Sequence, residues 1–352
     1  MTEHLYLHFP FCTGRCAYCA FVSGPPPRDI PAVIGALLRE KETRGIPLLP
    51  LETLYCGGGT PALIGPEGFR RLAGSGLFTL RDGAEWTVEL HPAAVTPELA
   101  DTLAGLGVNR LSLGVQSFDD ATLLRCNRRH TAAMALEAVR ICRERIPDTG
   151  IDLIAALPGV TSAEWERTLE TALALALPHI SVYTLSVEEG SLWYRQGMEP
   201  PEPDAACDAM LTAADRLRRA GYERYETSNF AQPGFRCRHN LNTWHGGDYL
   251  GLGRGACSRL GRTRTDGTGH TEILDAADDA LERVLTGLRL SEGFSPERAV
   301  AAYPVLAPWR DGWKACLDTF RRQGLLDARN APTDRGYEVL DALVRELLSR
   351  PE

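Results

Sequence analysis

Lysine is almost absent from this chain. Of its 38 basic residues only Lys41 and Lys314 are lysines, and the remaining 36 are arginines. That leaves few candidates for Schiff-base chemistry and no lysine-rich patch for an anionic membrane. Acidic residues number 46, so the formal net charge is −8. A dedicated nucleic-acid binder, which carries a basic face, is therefore not expected, and Arg128-Arg129-His130 is only a local basic cluster. No run of about 18 apolar residues occurs, so no transmembrane segment is expected. The N-terminus has no basic segment followed by an apolar run, so no secretory leader is expected either. Ten cysteines in such a chain point to a reducing, cytoplasmic compartment. There thiols serve as ligands, catalytic groups or small buried hydrophobes, not as disulfides.

What is present is an ordinary globular composition, 44% hydrophobic and 24% charged over 352 residues, enough for about two domains. The first half alternates two patterns. Strand-like segments fall at Leu5–Phe9, Thr53–Cys56, Trp86–Leu90, Arg110–Val115, Ile151–Ala155 and Ile180–Leu185. Helical periodicity separates them, as in Asp29–Arg44, where Ile30, Val33, Ile34, Leu37 and Leu38 recur at helical spacing. Another helix follows Thr96 as N-cap and stops at Gly107, and others cover Thr131–Arg145 and Ser162–Ala176. Six βα units in succession predict an α/β protein with a parallel sheet, either an incomplete barrel or a doubly wound sheet, with function at the carboxyl ends of the strands. After about Val187 the alternation stops. A helix is expected near Asp204–Ala220, a strand at Tyr222–Phe230, and helices at Leu274–Leu290, Pro308–Gln323 and Tyr337–Leu348. The division this gives is 1–190 as the barrel, 191–268 as an accessory α+β segment completing the core, and 269–352 as a small helical domain.

The strongest chemical signal is Cys12, Cys16 and Cys19, directly after the first strand. Three thiolates within eight residues can hold an iron–sulfur cluster with one iron left free for a ligand. Zinc with His4 or His8 as fourth ligand is the rival, and three buried cysteines without metal the bland alternative. Cys56-Gly57-Gly58-Gly59-Thr60-Pro61 closes the second strand, where glycines expose backbone groups to a ligand. Glu89, Gln116 and Asp152 place polar groups within or at the ends of later strands, which is costly in a parallel sheet unless they are paired. Cys126, Cys142, Cys207, Cys237 and Cys316 have no metal-like spacing and are expected to be small hydrophobes or surface thiols.

The stretch Tyr6-Leu7-His8-Phe9-Pro10-Phe11-Cys12-Thr13-Gly14-Arg15-Cys16-Ala17-Tyr18-Cys19 resembles the signature of radical S-adenosylmethionine (SAM) enzymes. The resemblance implies a partial (β/α)6 barrel and a [4Fe–4S] cluster on Cys12, Cys16 and Cys19. In that family the cluster's fourth iron is chelated by SAM, which is cleaved to a 5′-deoxyadenosyl radical. Further segments are similar to the coproporphyrinogen dehydrogenase-like (HemN-like) branch, and within it to the haem chaperones of HemW type. They include Gly107–Phe118, Asp152-Leu153-Ile154, Leu157-Pro158-Gly159, His179–Leu185, Tyr225–Ala231, Arg238–Gly253 and Leu288–Gly293.

Carried over residue by residue, this resemblance implies SAM contacts at Tyr6, Gly58, Gly59, Thr60, Glu89, Gln116, Arg128 and Asp152, with Tyr18 beside a second SAM in the dehydrogenases. Two departures set the chain apart from those dehydrogenases. The further cysteine two residues beyond the third ligand is missing, because position 21 is Phe21, and only five residues precede Tyr6. The haem-chaperone resemblance implies binding of haem or another porphyrin, delivery to haem-acceptor proteins, and a homodimer. Its His-Asn-x-x-Tyr-Trp signature here is His239-Asn240-Leu241-Asn242-Thr243-Trp244, with Thr243 in place of tyrosine. Cys257 stands where relatives usually carry histidine. His239 and Cys257 are the resulting haem-ligand candidates. The enzymatic alternative is a coproporphyrinogen oxidase-like or other porphyrin-directed activity, oxidation or methylation.

Overall fold

The computed structural model describes residues 1–348; residues 349–352, the end of the expected helical domain, lie outside the described residues. All six anticipated strands are present: β1 (Thr2–Phe9), β2 (Leu48–Gly58), β3 (Leu80–Leu90), β4 (Arg110–Gln116), β5 (Thr149–Ala155) and β6 (His179–Thr184). They are parallel neighbours in the order of the sequence. That consecutive order separates an open barrel from a doubly wound sheet, in which the strand order reverses partway. β2 and β3 begin several residues earlier than their apolar stretches. Both opening segments are half-exposed, and the pairing register shifts between Leu51 and Thr53.

Strand alternation divides the side chains. Leu5, Leu7, Phe9, Leu54, Cys56, Trp86, Val88, Leu111, Leu113, Ile151, Leu153, Ile180 and Val182 face outward into one core. They meet Ile34 and Leu37 of the helix Ile30–Arg44, Leu99 and Leu103 of Pro97–Gly105, and Trp165 and Leu169 of Ser162–Ala174. Asp29 and Thr96 cap their helices, and Gly107 adopts a left-handed φ of 93° after the second. The opposite parity faces the barrel interior and is polar: Tyr55 bonds Glu89, Ser112 bonds Asp152, and His4 bonds Thr53.

The chain after β6 extends this sheet at both edges. Tyr222–Phe230 does not form one strand. It folds into a hairpin of β7 (Glu223–Arg224) and β8 (Asn229–Ala231), and β8 lies antiparallel on β6. The buried Glu226 carboxylate accepts the Ser228 N–H at 2.9 Å and holds the turn. The glycine-rich stretch contains a helix, Arg238–Trp244, and β9 (Leu250–Leu252), which pairs with β1 in parallel. A small antiparallel sheet follows, made of Ser258–Leu260, Thr263–Thr265 and Thr271–Ile273. Its last strand lies within the part expected to be helical, and its polar Thr-Arg-Thr centre carries no apolar alternation.

The C-terminal helices have their own core around Leu285, Trp309, Trp313, Leu317, Phe320 and Leu347. Arg224 links them to the hairpin, with its guanidinium 4.1 Å from the Tyr337 ring centre and 3.3 Å from Glu338. Arg259 likewise bonds Asp279 at 2.6 Å. No helix among the described residues is long and apolar enough to cross a membrane.

One carboxylate ties the accessory segment to the barrel. Glu85, on the inward face of β3, accepts from the Arg238 N–H at 2.8 Å and the His239 N–H at 3.0 Å, capping a helix from outside its own chain segment. Glu85→Ala strands these two donors, a loss of about 2–4 kcal/mol that urea denaturation would register. Glu137→Ala, on an exposed helix surface, should stay within about 0.5 kcal/mol of wild type.

Candidate functional site

A cavity of about 440 Å³ opens where the barrel strands end, the size of a small-molecule site. Cys12, Cys16, Cys19, Tyr18, Gly58, Gly59, Thr60, Glu89, Gln116, Arg128 and Asp152 all line it. The structure thus brings together eleven of the fourteen residues singled out in the sequence. The other three, Tyr6, His239 and Cys257, lie outside its lining.

The cysteine loop is stitched down by backbone. Cys12 donates to Gly24, Gly24 donates to Pro10, and Ala17 donates to Cys126. Asn127 donates its side-chain N–H to the Arg15 carbonyl at 2.6 Å. Gly59 explains part of the glycine run, since a Cβ there would come within 2.6 Å of the Phe11 carbonyl oxygen. Gly58 has φ of 103°, and its Cβ would strike the His8 ring. These glycines let the loop after β1 lie directly on the end of β2, while their backbone still borders the cavity.

The cavity wall is acidic within. Glu89 accepts the Tyr55 hydroxyl at 2.8 Å and the Gly58 N–H at 3.1 Å. Burial, with the nearby Asp152 charge adding, pushes its carboxyl up to about 7 against those two bonds. Burial also raises Asp152, while the Ser181 and Ser112 hydroxyls hold it down. Gln116 sits at a bulge with φ of 71°, and its buried Oε1 has no partner among the described residues.

Arg128 is fixed behind the cysteines. Its guanidinium bonds the Gly114 carbonyl and reaches the Tyr18 hydroxyl at 3.3 Å and the Cys16 sulfur at 3.5 Å. Two of the three members of the basic cluster seen in the sequence are therefore not a surface patch: Arg128 is withdrawn and His130 is buried, its Nε2 3.2 Å from the Val115 carbonyl. Burial and then the Arg128 charge push His91 down to about 3, so it is a neutral ring on the lining.

Tyr6 and His239 belong to the barrel interior. The Tyr6 hydroxyl bonds His8, and its ring stacks on Tyr55. His239 is buried, bonds Thr53 Oγ1 through Nδ1 at 2.7 Å, and packs against Tyr55 and Tyr249. Burial lowers its pKa to about 3. Cys257 is exposed. His4 and His8, the fourth-ligand candidates for zinc, do not line the cavity. Among the described residues no three or more Cys, His, Asp or Glu side chains are gathered as a single ion would require. Cys237 lies under Glu85, its sulfur 3.5 Å from Oε1.

Sequence reasoning missed Tyr55, Phe21, Arg15, Arg129 and Tyr183, which back or line the same site. Strand parity would have found Tyr55 and Tyr183, since both share the inward register of Gly57 and Ser181.

A model of the radical SAM superfamily matches residues 6–172. A protein of Synechocystis called heme chaperone HemW is 34% identical over 327 residues, covering 83% of this chain and 79% of its own length. One of the same name from Escherichia coli is 34% identical and covers 92% of this chain and 91% of its own. In structure, the coproporphyrinogen III oxidase HemN of Escherichia coli, described as a radical SAM enzyme, superposes with a TM-score of 0.82. It does so at 22% identity, covering 98% of this chain and 90% of that one, a likeness of fold.

The shifted Glu89 carboxyl gives a testable pH dependence. Its folded pKa lies above its ordinary value of 4.5. The native state therefore holds a proton that the unfolded chain has released, and stability falls as pH rises between the two values. Without added ligand, wild type should lose about 2 kcal/mol relative to Glu89→Gln between about pH 5 and about pH 8. Parallel curves from denaturant melts at both pH values would contradict this.

Proposed function

This chain belongs to the radical SAM superfamily, in its HemW-type branch, and from that premise we propose that it is a haem chaperone, binding haem and passing it to haem-acceptor proteins. Membership of the superfamily implies a [4Fe–4S] cluster and SAM. The observation that carries their placement is the single cavity onto which Cys12, Cys16 and Cys19 open together with Glu89, Gln116, Arg128 and Asp152.

The donor set fits. Three thiols on one wall, not drawn to a common point, suit a cluster in which each cysteine holds a different iron. They suit zinc less, since its ligands converge on one ion and the histidine candidates lie elsewhere. When bound, such a cluster supplies an electron for reductive cleavage of the sulfonium. Glu89, oriented by Tyr55 and Gly58, accepts from the α-ammonium group of SAM. The Gly58–Gly59 backbone and Thr60 border the methionyl part. Asp152, held by Ser112, accepts from hydroxyl groups, and Gln116 brings an unused acceptor. Arg128 and Tyr18 hold the cluster side of the wall.

For haem, Cys257 is the accessible member of the two ligand candidates, whereas His239 would have to leave Thr53 and its packing among Tyr6, Tyr55 and Tyr249. A cytoplasmic location, a homodimer and the division at about residues 190 and 268 belong to the same reading. The intact set of SAM-facing side chains favours one further reading, a porphyrin-directed radical enzyme. Phe21 in place of the additional cysteine speaks for the chaperone.

Anaerobic reconstitution should give about four iron and four sulfide per chain. Cys16→Ser should lose most of both, and a preparation that takes up only tightly held zinc at this loop would overturn the assignment. With dithionite and SAM, 5′-deoxyadenosine formation that depends on coproporphyrinogen would replace the chaperone by the enzyme. Glu89→Gln should weaken SAM binding about tenfold or more, as expected for a lost charge-assisted bond. In wild type SAM binding should weaken below about pH 7 as the carboxylate takes up its proton. Equilibrium dialysis at two pH values checks both.

A further inference from the structure

The mouth of the cavity has a composition that its SAM-facing depths do not use. Phe21 lines it and is 59% exposed, the ring of an unbranched aromatic held open at the end of the cysteine loop. Val22 beside it is 40% exposed and packs near Gly255. Tyr183, on the inward face of β6, opens its ring to the same space. Large apolar surfaces left open beside a cavity mark ligand or partner sites.

Charge at this mouth runs against the chain as a whole. Arg15 and Arg129 both line it, and neither has a carboxylate partner among the described residues: Arg15 donates Nε to the Cys19 carbonyl at 3.1 Å, which leaves its terminal nitrogens, and the exposed Arg129 lies over Gly14. Most surface arginines here are paired, Arg140 with both Glu137 and Glu144 for example. Arg254 lies within reach of the same loop, 3.9 Å from the Cβ position of Gly24. Glu188 is the exposed carboxylate on the lining; Glu89 and Asp152 lie deeper. Guanidinium groups without a carboxylate partner, beside open aromatic rings, form a receptor for a flat, apolar molecule with carboxylates on its edge.

We propose that haem seats across this mouth, its ring against Phe21 and Tyr183 and its propionates on Arg15 and Arg129, so that it covers the cavity in which SAM is placed. This rests on the haem-chaperone reading and moves the site away from His239, whose ring is committed to Thr53. Phe21 occupies the position at which the chain departs from the dehydrogenases, so the same substitution that removes a thiol supplies the apolar face. By covering the cavity, bound haem should slow the escape of SAM; any factor by which haem changes the equilibrium affinity for SAM is, by linkage, the factor by which SAM changes that for haem.

The test uses the reconstituted, cluster-containing full chain. Haem is titrated by its Soret band into wild type, Arg129→Gln, Phe21→Ser and Cys257→Ser, with far-ultraviolet circular dichroism to compare folding. Arg129→Lys serves as the variant that restores charge. The expected result is a tenfold or greater loss of haem affinity in Arg129→Gln and in Phe21→Ser, partial recovery in Arg129→Lys, and a loss below twofold in Cys257→Ser. Radiolabelled SAM should also leave wild type several times more slowly when haem is present. Haem binding that the mouth variants leave unchanged, or SAM release indifferent to haem, would refute this seat while the chaperone reading stands. A wild type that takes up no haem would overturn the chaperone reading itself.

Discussion

A barrel whose interior is ionisable stands only if those groups find partners inside it. An unmatched buried donor or acceptor costs about 1–3 kcal/mol, and a buried charge more. Here the parity of six strands turns leucine, valine and isoleucine outward to the helices and histidine, tyrosine, glutamate, arginine and aspartate inward. The pairing is largely supplied by the half of the chain that follows the barrel. Tyr225 reaches His179, His239 reaches Thr53, and the helix beginning at Arg238 is capped by Glu85. Arg110, almost wholly buried, is answered by Asp148 and the Phe235 carbonyl. The accessory segment is thus the floor of the barrel, and the geometry at its open end depends on that floor.

At the open end the balance changes. Two carboxyls, Glu89 and Asp152, face one cavity; burial raises the proton affinity of both, and the Asp152 charge adds to that of Glu89. The guanidinium of Arg128, on the same wall, is already committed to the Gly114 carbonyl, Tyr18 and the Cys16 sulfur. What these carboxyls lack is a mobile cation, and a sulfonium compound carrying an α-ammonium group supplies one. The same two groups that weaken the empty fold near neutral pH are therefore the ones that gain most when such a ligand enters. Stability given up at a binding wall is characteristic of sites shaped for a partner that folding alone does not provide.

Much of this was legible in the residues because the signals were local. Apolar runs marked β1 to β6, and Asp29, Thr96 and Thr131 marked helix starts. The cysteine spacing and the glycine run marked the loops that meet at the cavity. What escaped had no local signature. The hairpin at Tyr222–Phe230 is turned by a single buried glutamate. The small sheet beginning at Ser258 is built of three-residue strands with a polar Thr-Arg-Thr centre. Tyr55 is a strand residue like any other until the register places its hydroxyl on Glu89. Gln116 was placed at a strand end, but not that a bulge would hold it in a left-handed conformation with an unpaired oxygen.

His239 shows where motif and role part company. In the sequence it heads the segment that most resembles a haem-binding signature, and an imidazole is the natural ligand to expect there. In the fold its ring lies between Tyr6, Tyr55 and Tyr249, with Nδ1 on Thr53 and its backbone N–H on Glu85. An imidazole so placed does architectural work: it satisfies a strand hydroxyl and anchors the helix that closes the floor. Removing it would disturb the barrel and thereby every function the barrel supports, so loss of haem binding in such a variant would not by itself identify a ligand. Phe21 is the reverse case. The sequence marks it only as the place of a missing cysteine, yet its exposed ring borders the cavity. Roles are therefore assigned more safely by what a side chain is still free to bind than by the motif in which it stands.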